Sequence, residues 1–293
     1  MTEFALELDR LSKSFDNKAV LNGISTRVEA GEVIGLLGLN GAGKTTLLET
    51  ALGFSLPTSG RAALFGQPSI TMDGATKMRI GFVSQRDELL EGMTGANYLA
   101  LIAEFYPRWN PQLVARLAQE WTVPLDTRIN KLSVGQRQKL SIISALGHEP
   151  ELIILDEPVA SLDPVARRQF LKELIDIASA QTRAIIFSTH IVSDLERVAS
   201  RVWLLQNGEL GIDASIDELK ENFVRLQLPR GIALPAVIAA TAVLRSRTDS
   251  HGNSIVLLRG WNNAMSRDMQ VLLSQGIQPE SLSLEDLFLE LHA

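Results

Sequence analysis

Residues 38–45 read Gly38-Leu39-Asn40-Gly41-Ala42-Gly43-Lys44-Thr45, a spacing of glycines ahead of Lys-Thr that suits the grip of a polyphosphate. Glycines let a backbone turn tightly enough to aim its N–H groups at phosphate oxygens, and a helix N-terminus behind them adds a favourable dipole. In such a loop Lys44 neutralises the β- and γ-phosphates, and the Thr45 hydroxyl ligates Mg²⁺.

A second constellation lies further on. Leu152-Ile153-Ile154-Leu155-Asp156-Glu157 is an apolar run ending in two carboxylates. Nucleotide sites in open α/β sheets form at the carboxyl ends of strands. Asp156 is placed there to hold Mg²⁺ through its water shell, and Glu157 to polarise a water attacking the γ-phosphate. Between the two constellations, Leu132-Ser133-Val134-Gly135-Gln136 precedes a helical stretch, with Ser133 as its N-cap.

The positioning elements follow from periodicity. Val33–Leu37 is a continuous apolar run, the mark of a strand buried on both faces, and it feeds the glycine loop and a helix from near Gly43. Arg79–Val83, Glu151–Leu155, Arg183–Thr189 and Val202–Leu205 read as further strands. Alternating Phe4, Leu6, Leu8 and Ile24, Thr26, Val28 predict short strands before them. Helices are expected over 94–119, broken at Pro107 and Pro111, over 134–148, and over 164–179, where Pro164 opens the first turn. Strands alternating with helices imply a mostly parallel sheet covered by helices. After Ala214 the character changes. Short strands (Phe223–Leu228, Ala242–Ser246, Ser254–Leu258), a helix near 264–274 and an acidic amphipathic helix over Leu282–Leu291 predict a separate α+β domain over 215–293.

Taken in order, these motifs resemble the nucleotide-binding subunit of ATP-binding cassette (ABC) transporters, whose signature is Leu-Ser-Gly-Gly-Gln, over about residues 4–214. The resemblance implies an α/β P-loop NTPase cassette: a mostly parallel sheet core, an antiparallel β subdomain, and a helical subdomain over about 86–149, all within an ATP-binding domain of 1–214. It implies ATP and Mg²⁺ as ligands. Phe15 resembles the aromatic that stacks on adenine, and Val20 lies near the same base. The loop residues, from Gly38 through Thr46, bind nucleotide. Gln85 resembles the residue that senses Mg²⁺ and touches the membrane partner. Ser133, Val134, Gly135 and Gln136 look like the signature that caps ATP held by an opposing subunit. Asp163 is similar to the loop aspartate that crosses a dimer interface, and His190 to the switch histidine at the γ-phosphate. Val134 stands where the signature has glycine, Leu39 where proline is common, and Phe15 where tyrosine is usual.

Two such subunits would close head to tail on ATP and reopen on hydrolysis, as a homodimer or with a similar ATPase subunit. No stretch approaches the roughly 20 apolar residues needed to span a bilayer; the longest, Gly231–Leu244, is broken by Pro235 and Thr241. The transport path is therefore expected in a separate permease, with this chain peripheral on the cytoplasmic face of a bacterial inner membrane. The N-terminus lacks the basic start and apolar run of a secretory signal. The segments Phe105–Asn110 and Pro279–Phe288 resemble exporter-type subunits of the drug, bacteriocin and lantibiotic resistance kind. A formal net charge of −6 over 293 residues disfavours a nucleic-acid partner. The absence of cysteine excludes disulfides and thiolate chemistry. Alternatives are a member of the same superfamily acting on ribosomes or DNA, and a regulatory ATPase without transport.

Overall fold

The computed structural model describes residues 3–16, 18–86, 88–179, 182–260, 269–274 and 276–292. The chain divides into two compact units between Asp213 and Ala214.

The first unit opens on two long strands, β1 (Leu6–Phe15) and β2 (Lys18–Val28), where alternation alone suggests short pieces. The pieces belong to one antiparallel pair interrupted by irregularities. Register shifts between Leu8 and Leu11 and again towards Ser14, and Arg10 has a φ of 49°. Each bulge moves the following residues to the other face, so the period-2 pattern breaks while pairing continues. Strands β4 (Ser59–Leu64) and β5 (Gln67–Pro68) complete an antiparallel sheet in the order β2-β1-β4-β5.

The second sheet positions the site. Strand β3 (Val33–Leu37) pairs in parallel with β8 (Ala184–Ser188) and β9 (Arg201–Gln206), and β8 continues through β7 (Leu152–Leu155) to β6 (Ile80–Val83). Strand β10 (Glu209–Ser215) lies beside β9, across a turn in which Asn207 and Gly208 both have positive φ, as a primed hairpin turn requires. Every residue of β3, β7 and β8 is buried. One face of this sheet (Ile34, Leu36, Ile154, Ile186, Trp203) shares a core with the antiparallel sheet and with Leu47 and Leu48 of α1 (Lys44–Ala51). On β3, Gly35 allows close packing by α7 (Val192–Val198), since a Cβ there would fall 2.2 Å from Leu195.

Between β6 and β7 the chain is helical: α3 (Gly95–Ala103), α4 (Pro111–Glu120) and α5 (Val134–Leu146), after the single turn α2 (Gly74–Lys77) that precedes β6. Asn110 caps α4 by accepting from the Leu113 amide, and Thr94 caps α3 likewise. The segment Phe105–Asn110 is more than a helix breaker. The Trp109 ring occupies the space beside Gly147, and Tyr106 stacks on His148 with ring centroids 3.9 Å apart. Helix α6 (Pro164–Ser179) follows β7, and its Phe170 meets Trp121 edge-on.

The second unit contains α8 (Ile216–Asn222), β11 (Phe223–Leu228), α9 (Ala236–Thr241), β12 (Val243–Thr248), β13 (Ser254–Arg259), α10 (Gln270–Ser274), β14 (Glu280–Ser281) and α11 (Leu284–His292). The helix expected from 264 is described only from its second half; residues 264–268 lie outside the described residues. Its antiparallel sheet runs β12-β13-β11-β14. Alternate residues Val224, Leu226 and Leu228, with Val256 and Leu258, build its own core. Arg225 and Arg247 both donate to the buried Glu290 of α11.

Candidate active site

The site begins where β3 ends. Gly41 and Gly43 have φ of 81° and 103°, the left-handed region that glycine enters without steric cost. This turns residues 38–43 around the start of α1 and leaves Lys44 as the helix's first residue. A Cβ on Gly38 would lie 2.9 Å from the Leu205 carbonyl, so that position also demands glycine for space.

Lys44 curls back over the loop. Its Nζ donates to the Gly38 carbonyl at 2.9 Å and lies 3.2 Å from Glu157 Oε1. Both side chains are over nine-tenths buried (7% and 6% exposed), so each charge depends on the other for solvation. Glu157 Oε2 accepts from His190 Nδ1 at 2.9 Å. Thr45 Oγ1 donates to Asp156 Oδ2 at 2.5 Å, and Ser188 Oγ donates to Asp156 Oδ1, also at 2.5 Å.

Of these groups, Lys44, Thr45, Glu157 and His190 border a cleft of about 530 Å³. Asn40, Gly41, Gly43, Lys44, Thr45 and Thr46 supply one wall; Gln85, Glu157, Ala160 and His190 supply others; Phe15 and Val20 stand on a further side. Phe15 is 48% exposed, with Lys13 Nζ 4.7 Å from its ring centroid, so a π face stays free for a flat ligand. Among the described residues, no cluster of three or more His, Asp or Glu could cage a metal ion. Thr45 and Asp156 instead offer two hard oxygens side by side, which suits Mg²⁺ completed by phosphate oxygens and water.

Not every residue marked by the sequence lines this cleft. Asp156 is buried beneath it, and Leu39 points outward at 52% exposure. Ser133, Val134, Gly135 and Gln136 form the first turn of α5 and its cap, and do not line the cleft. The Ser133 and Gln136 side chains cap each other's backbone amides, so Gln136 has a local structural role. A Cβ on Gly135 would lie 3.2 Å from the Ser161 carbonyl, which places the signature turn against the segment that follows Glu157. Asp163 caps α6, accepting from the Val165 and Ala166 amides at 2.9 and 3.0 Å. The Ala166 amide above all, with Val165 and the Lys139 charge, holds its carboxyl below the usual range. Sequence reasoning missed Ala160 and Ser188. Ala160 carries no chemical signal, and Ser188 gave only a polar residue closing an apolar strand.

The cleft thus presents loop amides, Lys44 and Thr45 at one end and the exposed Phe15 ring on another side, with the hydrogen-bonded Glu157 and His190 along its wall. Residues 21–160 match the family model for the ABC transporter. The ABC transporter ATP-binding protein YtrB of Bacillus subtilis (strain 168) is 30% identical over 76% of each chain. The Nod factor export ATP-binding protein I of Rhizobium sp. (strain N33) is 32% identical over 78% of this chain and 76% of its own. This chain belongs to the ABC transporter ATP-binding proteins. It is an ABC ATPase cassette, and its fold matches that of the dimeric cassette MJ0796 bound to ADP and Pi, with a TM-score of 0.65 over 72% of this chain and 98% of that one, at 20% identity.

Proposed function

We propose that this cassette hydrolyses Mg²⁺-bound ATP between two copies of itself and thereby drives a separate membrane permease in the export direction. The observation that carries the reading is the convergence of Lys44, the Thr45–Asp156 pair and the Glu157–His190 pair on one cleft.

Lys44 and the amides of the glycine loop hold the phosphates, and Phe15 stacks on the base. Thr45 and Asp156 hold Mg²⁺, which when bound neutralises charge across the phosphate oxygens. Glu157, kept in place by Lys44 and His190, accepts the proton of the attacking water, and His190 sits on its far oxygen to contact the terminal phosphate. Ser133 and Gly135 of the partner copy cover the phosphates from the other side, and Asp163 and Gln85 carry the change to the interface and the permease. ATP supplies charge that only a closed pair satisfies, so binding favours closure and hydrolysis releases it.

Several facts support this reading. A single chain carries both halves of the composite site, which favours a homodimer, and MJ0796, which shares the fold, is itself dimeric. No helix among the described residues is long and apolar enough to cross a membrane; as the ATP-binding subunit of a transporter, the cassette is assigned a peripheral place on the cytoplasmic face of a bacterial inner membrane. The export direction is supported by the Rhizobium relative, an export ATP-binding protein, and by the segments 105–110 and 279–288. The second unit, with its own core, is assigned to stabilising the dimer.

The test is Glu157→Gln in the full chain. It should bind ATP, lose at least 99% of turnover, and run as a dimer in ATP and Mg²⁺ by light scattering. Turnover equal to wild type would remove Glu157 from this role. Copurification of the ATP-bound variant in mild detergent should bring down a permease of several hydrophobic spans.

A further inference from the structure

Ser188 is not among the residues that the sequence marks, yet it touches two of them. It is the last residue of β8, completely buried, on the strand that lies between β3, which feeds the phosphate loop, and β7, which leads to the carboxylates. Its hydroxyl donates to Asp156 Oδ1 at 2.5 Å and accepts the Glu157 N–H at 2.7 Å. A serine has one proton to give, so these two bonds fix its orientation. Thr45 Oγ1 holds the opposite oxygen of the same carboxylate at 2.5 Å. Asp156 is thus gripped from both sides, and its plane is set before any ligand arrives.

The second bond bears on Glu157. This residue has a φ of 49°, a conformation that L side chains rarely adopt and that persists only when the surroundings impose it. The Ser188 oxygen anchors that backbone through the amide. The next residues along β8's exit are Thr189 and His190, and His190 holds the Glu157 carboxylate. One strand end therefore fixes Glu157 at its backbone and at its side chain. A buried serine with no role beyond core packing would need neither partner to be a site residue.

We propose that Ser188 is a positioning residue for ATP hydrolysis, holding the metal-binding carboxylate and the strained backbone of the general base in one arrangement. The proposal rests on the roles given above to Asp156 and Glu157. Ser188→Ala removes both bonds with little change in volume. ATP binding measured in EDTA should stay within twofold of wild type, because the glycine loop is untouched. At saturating ATP and Mg²⁺, kcat should fall about 10- to 100-fold, the scale for losing hydrogen bonds to a charged buried group. KM for ATP should move less than threefold, while the Mg²⁺ concentration giving half-maximal rate rises.

A second readout needs no turnover. Hydrogen exchange at the Glu157 amide, followed without nucleotide, should quicken at least tenfold in the alanine variant. Ser188→Cys keeps the side-chain connectivity, with a slightly larger atom that is a much weaker donor and acceptor, and should share both losses. If the alanine variant keeps kcat and amide exchange within twofold of wild type, or if the cysteine variant does, the proposal is wrong. Wild-type protein that fails to hydrolyse ATP, or Lys44→Ala that hydrolyses it normally, would instead strike at the ATPase roles themselves.

Discussion

The buried pair Lys44–Glu157 makes a stability prediction that is independent of catalysis. At 3.2 Å two unit charges attract by about 5 kcal/mol with an effective dielectric of 20, an upper bound for the pair. Lys44→Met leaves Glu157 buried with His190 as its remaining polar partner, and breaking a buried pair typically costs about 3–5 kcal/mol. Since His190 Nδ1 still donates to Oε2, the lower end, about 3 kcal/mol, applies. For a unit of this size that lowers the midpoint by about 6–12 °C. Glu157→Gln costs less, about 1–2 kcal/mol, because Lys44 keeps the Gly38 carbonyl and the amide can still meet His190. The double variant Lys44→Met/Glu157→Gln removes both charges, so it should recover about 2 kcal/mol of the sum of the single losses. Thermal melts without nucleotide, at fixed pH and salt, measure all four proteins. A double variant as unstable as the sum of the two singles would show that the charges do not support each other.

Two further outcomes follow from the geometry. His148 is buried under Tyr106, its Nε2 bonded to the Ile80 carbonyl and its Nδ1 without a hydrogen-bond partner. Burial pushes its pKa below the usual value of 6.5. The unfolded chain then takes up the proton first, so the stability His148 contributes is complete above about pH 6.5 and is lost as pH falls through its lowered folded pKa. Melting temperature between pH 5 and 8 should fall on acidification, and His148→Phe should flatten that slope. Phe15→Ala removes the exposed ring, and stacking on a base is worth about 1–3 kcal/mol, so KM for ATP should rise roughly 5- to 100-fold with kcat little changed.

What was legible in the sequence was local. The runs Val33–Leu37 and Leu152–Leu155 announce strands buried on both faces, because no polar residue interrupts them. The glycine loop announces itself because its chemistry lies in eight consecutive residues. Strand β4 gave no such signal: it begins Ser59-Gly60-Arg61, without alternation. It pairs with β1 so closely that a Cβ on Gly60 would lie 2.1 Å from the Arg10 carbonyl. Its identity is dictated by its partner, which no window of its own sequence contains. Ser188 was hidden for the same reason. A serine closing a strand is ordinary until folding brings it within 2.7 Å of residues some thirty positions away.

The departures from the signature and the loop can be judged by the same physical test, which asks what a side chain would meet. Gly135 sits where a Cβ reaches 3.2 Å from the Ser161 carbonyl, a tight approach that favours glycine within a single copy. Val134, one residue earlier, is 54% exposed at the first position of α5, and its backbone is helical without a positive φ. Nothing in its own chain requires glycine there. Leu39 is likewise exposed, with a backbone that no glycine need supply. Both substitutions therefore fall where the fold is indifferent, and both leave in place the glycines at 38, 41, 43 and 135. Those four answer to backbone conformation or to close approach. The tolerance of the two apolar side chains is thus a consequence of where they sit, exposed and on backbone that does not call for glycine.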